Sequence, residues 1–151
     1  MKRALRGLMI AGAASAALLF TGSATAQDQQ TNPHVEIVIQ QIAQRVPLMA
    51  QNGYPNYELI GINAINNGAS QTINYTANDA QDVVFVGVCD GDCSNLDMRI
   101  RSGQRVIGED VLADDVPVVQ VQSGSRPFDV EVIMTACSAN PCVYGVAVFR
   151  H

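Results

Sequence analysis

The chain has 151 residues, 48% of them hydrophobic, and carries nine basic against fourteen acidic side chains, for a formal net charge of −5. Three of the basic residues, Lys2, Arg3 and Arg6, lie at the start, and all fourteen acids lie beyond residue 26. Residues 27–151 therefore carry six arginines against fourteen acids, a net charge of −8. Such a charge repels nucleic acids and anionic lipid surfaces, which excludes nucleic-acid binding and favours a cationic partner, namely a basic protein surface or a metal ion.

Residues 1–26 have the three-part layout of a secretory signal peptide. A basic start is followed by an uncharged apolar run from Leu8 to Phe20 and by Ala24-Thr25-Ala26 before Gln27. The alternative, a membrane anchor, needs about 20 strongly apolar residues, and this run is diluted by glycine and serine. We therefore predict that the protein is bacterial and either periplasmic or secreted, with no membrane span after the signal peptide is removed.

A helix is predicted for residues 33 to about 50. Asn32-Pro33 supplies a capping residue followed by proline at the first helical position. Apolar residues then recur at the spacing of one helical face: Val35, Val38, Ile39, Ile42, Val46 and Met49. Pro47 removes a backbone hydrogen bond, so we expect the helix to kink or to end near Val46. The apolar face is predicted to cover an open face of a β-domain; docking of a partner protein is the alternative.

Beyond Pro55 the apolar period changes from 3.6 to 2, which indicates strands. Residues 82–89 are apolar on both alternations, as in a central strand that is covered on both faces. Asn67-Gly68 is predicted to join two strands, 57–65 and 70–77, as a tight hairpin. About eight short strands in all predict an all-β fold, an antiparallel β-sandwich preceded by one amphipathic helix. The predicted division is a signal peptide at 1–26, a helical segment at 27–55 and the sandwich at 56–151.

Four cysteines in a short exported chain predict two disulfides. Of the three possible connectivities we favour Cys89–Cys93 with Cys137–Cys142, because both loops are short and contain a turn-forming glycine or proline. The remaining two connectivities would cross-link the two segments. A zinc site formed by all four cysteines is a further alternative.

The turn Asp90-Gly91-Asp92, with Asp97 seven residues beyond Asp90, offers carboxylate oxygens of the kind that calcium prefers. It does not match an EF-hand loop, because the glycine separates the first two acids and the terminal glutamate is missing. We name Asp90, Asp92 and Asp97 as a candidate calcium site, with a solvated acidic turn as the alternative. A second acidic cluster could contribute if the fold brings the loops together: Glu109, Asp110, Asp114 and Asp115.

No catalytic signature is evident, so we predict that the protein is not an enzyme. Nucleophilic catalysis needs an activated serine or cysteine beside a base, and the two histidines, His34 and His151, lie at opposite ends of the mature sequence. Hydrolysis by a pair of carboxylates stays an alternative, because the chain has many acidic residues. A sugar-stacking cleft is poorly supplied, because the chain has no tryptophan.

The second half of the chain resembles the pre-peptidase C-terminal domain, a bacterial β-sandwich attached to many secreted peptidases. The likeness rests on the strand Ser94–Ile100, the turn at Gly103 with Val106 after it, and the strand Phe128–Val132. Where the family has a glycine before the aromatic residue, this chain has Pro127. The resemblance covers about residues 82–151 and implies a jelly-roll-like accessory module that is non-catalytic in itself.

The sequence thus predicts an exported, non-enzymatic β-sandwich module that binds or shields another envelope or secreted protein. A calcium-dependent binding module is the alternative. A secreted hydrolase is the third hypothesis.

Overall fold

The computed structural model describes residues 32–77, 82–122 and 127–151. The predicted signal peptide lies outside these residues. One helix and eight strands follow in chain order: α1 (Pro33–Gln51), β1 (Asn56–Ile65), β2 (Ser70–Thr76), β3 (Val83–Cys89), β4 (Cys93–Ser102), β5 (Arg105–Asp110), β6 (Val118–Val121), β7 (Pro127–Cys137) and β8 (Cys142–Arg150).

The strands form two four-stranded sheets, and every pairing is antiparallel. Sheet I has the order β1-β8-β3-β6, and sheet II has the order β2-β7-β4-β5. Consecutive strands repeatedly change sheet, as in a jelly roll. The predicted antiparallel sandwich of eight strands behind one helix is confirmed.

The expected hairpin at Asn67-Gly68 is wrong. The two strands that flank this turn lie in different sheets, because β1 pairs with β8 and β2 pairs with β7. Gly68 does adopt a left-handed conformation, with φ of 75°, but its N–H donates to the carbonyl of Met134 on β7 at 2.7 Å. The local signal for a turn was therefore right, and the choice of pairing partner for β1 was decided by distant strands.

The space between the two sheets holds the larger of two cores, which we call the inter-sheet core. Phe85 from β3 meets Tyr75 and Phe128 edge to face, with ring centroids 5.7 and 5.9 Å apart, a favoured geometry for aromatic pairs. Alternate residues of β4, β6, β7 and β8 supply most of the rest. Their alternation gives these strands one buried side.

Tyr144 on β8 is buried in this core and connects the two sheets. Its hydroxyl donates to the side-chain oxygen of Gln71 on β2 at 2.9 Å. Burial raises the pKa of Tyr144, and this effect outweighs a hydrogen bond with Asn63 that lowers it. The phenol therefore keeps its proton and its role as donor throughout the neutral range.

Helix α1 packs on the outer side of sheet I and forms a second, helix-side core. Val38 and Ile42 of the helix are buried against alternate residues of β3 and β8. Gly145 on β8 permits this close approach: a methyl group at its position would lie 2.5 Å from Val38 Cγ1 and 3.1 Å from Ile42 Cδ1. The predicted role of the helix as the cover of a sheet is therefore observed.

Of the two outcomes expected at Pro47, a helix end near Val46 is wrong, because α1 continues through Pro47 to Gln51. Val46 and Met49, on either side of the proline, both pack against the helix-side core. Pro47 itself is exposed, so water can satisfy the carbonyl that loses its usual donor. Tertiary packing has prevailed here over local propensity.

We predict that Gly145→Ala loosens the docking of α1. The new methyl group would overlap Val38, whose branched side chain has little rotamer freedom, and overpacking of this kind costs about 1–3 kcal/mol. Chemical denaturation should show the loss. Gly91→Ala is the matched control, because a methyl group there has no neighbour within 4 Å; equal stability of the two variants would contradict the packing argument.

A second prediction concerns the turn between the sheets. Gly68→Val should lose about 1–2 kcal/mol of unfolding free energy, because a β-branched residue resists positive φ, whereas Gly68→Asn should lose less. A Cβ atom at this position meets no atom within 4 Å, so a difference between the two variants reports mainly on backbone strain. Thermal melts that superimpose would show that the turn tolerates another conformation.

Candidate functional site

The two cysteine pairs lie at one end of the sandwich, which we call the disulfide end: the turn Asp90–Asp92, the loop Ser138–Pro141 and the turn 66–69. The sulfur atoms of Cys89 and Cys93 are 1.98 Å apart, and those of Cys137 and Cys142 are 2.09 Å apart. This is the predicted pairing. It leaves no free cysteine and therefore no thiolate for the alternative zinc site.

Hydrogen bonds join the loops of the disulfide end to one another. The backbone N–H and the hydroxyl of Ser138 both donate to the carbonyl of Asp92, at 2.8 and 2.9 Å. Asn67 accepts from the N–H of Cys137 at 2.9 Å through its side chain, and its own N–H donates to the side-chain oxygen of Asn140 at 2.6 Å. Segments from three distant parts of the chain are thus held as one surface.

Asp90 is the one buried polar or charged residue in the described part of the chain, with 1% of its surface exposed. One carboxylate oxygen accepts from the N–H of Val143 at the start of β8, at 2.8 Å. The other accepts from the N–H of Asp92 at 3.3 Å. Asp90 is therefore not solvated but is a buried acceptor for two backbone segments, one of them its own turn.

His34 extends from the first turn of α1 toward this turn. Its Nδ1 lies 3.0 Å from Asp90 Oδ2 and 3.8 Å from Asp92 Oδ2. The atom is shielded from solvent, yet it has no partner in hydrogen-bond geometry, so its closeness to Asp90 is an electrostatic contact and not a directed bond. Asn32 caps the helix by accepting from the N–H of His34, and Gln41 donates to the carbonyl of Cys89 at 2.8 Å, which fixes the helix over the turn.

The structure separates the three predicted calcium ligands. Asp90 and Asp92 lie together with His34, and their nearest donor atoms fall within 4.8 Å of one another. Asp97 is not part of this group: it lies on β4, opposite Ile133 of β7. The turn after Asp92 passes directly into β4, and the strand carries Asp97 away from the disulfide end.

The second acidic cluster does not join the first. Asp110 accepts from the backbone N–H groups of Leu112 and Val118, and Asp114 accepts from that of Val116. These carboxylates order the loop between β5 and β6 from within, as short acidic side chains often do in turns. Glu109 instead pairs with Arg99 at 3.1 Å.

The outward side of sheet II is polar and largely self-paired. Besides the Arg99–Glu109 pair, Arg101 lies 3.1 Å from Glu131. Asn74 donates to Asp129 at 2.6 Å. These side chains pair across neighbouring strands, whereas Oδ1 of Asp97, on the same outward side, is shielded from solvent without a hydrogen-bond partner.

An apolar groove lies between α1 and β1 on the outer side of sheet I. It is open to solvent, has a volume of about 140 Å³, and is lined by five residues: Ile39, Ile42, Ala43, Tyr57 and Leu59. Ile39, Tyr57 and Leu59 are each between 44% and 50% exposed. The sequence pattern had placed Ile39 on the helix face that covers the sheet. The helix covers only part of sheet I, however, and leaves these side chains exposed beside β1.

No family model and no curated protein matches this chain. Among solved structures, the chain is similar to a structure described as carbohydrate-binding module CBM36 in complex with calcium and xylotriose, with a TM-score of 0.31 and 14% identity over 64% of this chain and 94% of that one. Values this low transfer neither ligand nor site. Within residues 32–77, 82–122 and 127–151, no helix is long and apolar enough to cross a membrane.

We predict that the double variant Cys137→Ala with Cys142→Ala folds and is only moderately less stable. The chain-entropy relation assigns about 2 kcal/mol to a loop this short, against about 4 kcal/mol for a bridge spanning some fifty residues. Non-reducing peptide mapping together with a thermal melt tests the pairing. A covalent link between the Cys89 and Cys137 segments, or loss of folding in the double variant, would contradict it.

Proposed function

We propose that the protein is an exported, non-enzymatic β-sandwich module that binds another envelope or secreted protein, and that it binds through the groove between α1 and β1. The observation that carries the proposal is the open apolar groove itself. Disulfide pairing at both cysteine pairs supports an oxidising compartment outside the cytoplasm.

The size and lining of the groove suit one large apolar side chain of a partner. An enclosed apolar cavity of about 150 Å³ takes up a molecule the size of benzene, and this groove is of similar volume. Its walls are aliphatic apart from the ring of Tyr57, which stacks on Phe149 with ring centroids 5.8 Å apart. Anchoring of one aromatic or aliphatic side chain in such a pocket is how many interfaces gain most of their affinity.

The position of β1 adds backbone groups to the same surface. In sheet I, β1 is an edge strand that pairs only with β8 among the described strands. An edge strand presents unpaired N–H and C=O groups that a partner segment can bond. The groove therefore supplies an anchor pocket, and the adjoining strand edge supplies directional hydrogen bonds.

Charge defines the chemistry of the partner further. The mature sequence has a net charge of −8, and the exposed Glu36 lies one helical turn before Ile39, on the same side of α1. Opposite charge speeds association and selects among partners. We therefore infer that the segment bound by the groove has a large apolar side chain with lysine or arginine beside it.

Calcium-dependent binding stays a hypothesis. Asp90 and Asp92 support it with close carboxylates, and the separate location of Asp97 weakens it. The relationship to pre-peptidase C-terminal domains likewise stays a prediction from the sequence. Neither is needed for binding at the groove.

Filling the groove tests the proposal. We expect Ala43→Leu to block the pocket without unfolding the protein, because Ala43 is an exposed wall residue and leucine is a good helix former. Ala113→Leu makes the same change at an exposed loop position and is the matched control. Binding is measured by fluorescence anisotropy with arginine-flanked peptides that carry a central phenylalanine, leucine or alanine.

Peptides with the apolar centre should bind the parent and Ala113→Leu alike, and at least tenfold more weakly to Ala43→Leu. The alanine-centred peptide should bind none of them. The same three proteins are then used as baits on a native envelope extract. The parent and Ala113→Leu should retain a partner that uses the groove equally, and Ala43→Leu should retain less of it. Equal retention of peptides and partners by all three proteins would refute a role for the groove.

A further inference from the structure

We propose that His34, Asp90 and Asp92 form a binding site for a divalent transition-metal ion, with Zn²⁺ the ion that the donor set fits best. The site does not depend on the groove or on the proposed function. Among the described residues, these three are the group of metal-binding side chains whose donor atoms converge.

The unusual feature of the cluster is His34 Nδ1. The atom itself is shielded from solvent, whereas the His34 side chain as a whole is 44% exposed. It has no hydrogen-bond partner, although it lies 3.0 Å from one carboxylate oxygen and 3.8 Å from another. A buried polar atom without a partner is costly and uncommon, and an unseen ion is one of its recognised explanations. The atom lies on a different element from the two acids, so the convergence is a product of the fold.

The separations between the donor atoms suit a small ion. Zinc lies about 2.0–2.2 Å from histidine nitrogen and carboxylate oxygen, and tetrahedral coordination at those lengths places the ligands about 3.3–3.6 Å apart. The observed 3.0 and 3.8 Å bracket that range. Small side-chain rotations would bring the three donors around one ion, while Asp92 and His34 leave one side open to solvent.

Asp90 is already oriented as a metal ligand would be. The N–H of Val143 donates to Asp90 Oδ2, the oxygen nearest His34, and the N–H of Asp92 donates to Oδ1. Hydrogen bonds of this kind fix a carboxylate ligand and are typical of metal sites. The Cys89–Cys93 disulfide closes the same turn, and Asn32 fixes the first turn of α1 that carries His34.

The nitrogen donor distinguishes this site from the calcium site predicted from the sequence. Calcium takes six to eight oxygen ligands, whereas imidazole suits zinc and its transition-metal neighbours. Three protein ligands beside the positive end of α1 should bind zinc more weakly than a four-cysteine site. A bound ion would connect the start of the helix to the turn between β3 and β4 and so stabilise the folded state.

The test uses the tag-free chain from Gln27 onward, with ZnCl₂ and CaCl₂ as the probes. Isothermal titration and thermal melts are recorded for the parent, for His34→Ala and for Asp92→Asn. His151→Ala is the matched control, because it removes the other histidine, which contacts Tyr54 with ring centroids 4.3 Å apart and the rings tilted by 41°. Each melt is compared with that of the same variant without metal, so that changes in intrinsic stability cancel.

We expect one zinc per chain and a melting temperature that rises with zinc concentration, since a ligand specific for the folded state must raise it. His34→Ala and Asp92→Asn should each weaken zinc binding at least tenfold, and His151→Ala should leave it unchanged. Zinc binding that survives His34→Ala, or that His151→Ala alone abolishes, would overturn the site. Binding of calcium without zinc, or of neither ion, would also overturn it.

Discussion

The rest of the structure depends on the burial of one carboxylate. Removing a charged group from water costs several kcal/mol unless partners replace the lost hydration, and Asp90 is almost completely removed from solvent. Its hydrogen-bond donors are the backbone N–H groups at the start of β8 and in its own turn, and the histidine at the start of α1 lies 3.0 Å away without a directed bond. Because each comes from a different part of the chain, satisfying this single charge requires helix, turn and last strand to be in register together.

The two central strands of sheet I explain how one small domain supports two cores. All seven residues of β3 are buried, with Phe85 facing the inter-sheet core and its neighbours Val84 and Val86 facing α1. On β8, Val148 and Phe149 divide in the same way. A strand covered on both faces needs apolar residues at every position. Here the second face of β3 and β8 is covered by α1, which removes its apolar side chains from water.

Local patterns were sufficient to predict the elements of this fold. Period-2 alternation gave the strands, the 3.6-residue period gave the helix, and the short loops between cysteines gave the disulfide pairing. The failures are non-local. Asn67-Gly68 carries the signal of a turn but no information on which strand will pair with β1, and the extension of α1 past Pro47 depends on packing of Val46 and Met49 against sheet I.

The candidate sites were likewise predictable only where they depend on residues that are close in sequence. Asp90 and Asp92 could be named from their composition and spacing, but His34 lies 56 residues before Asp90 and is brought there only by the docking of α1. Asp97 was included because it is near Asp90 in sequence, but it lies along β4 and not at the turn. The groove could not be foreseen, because it results from how far a helix extends across a sheet, which depends on the close contact at Gly145.

The placement of β8 bears on the order of events during folding. It follows every other strand in the chain, yet it lies in the interior of sheet I, where it pairs with both β1 and β3 and forms the floor beneath α1. Asn56 and Arg150 are neighbours in the sheet although 94 residues separate them. Until β8 is available, neither core can close, and such distant pairings are slow to form. The chain would therefore stay loosely structured until β8 is available to pair with β1 and β3.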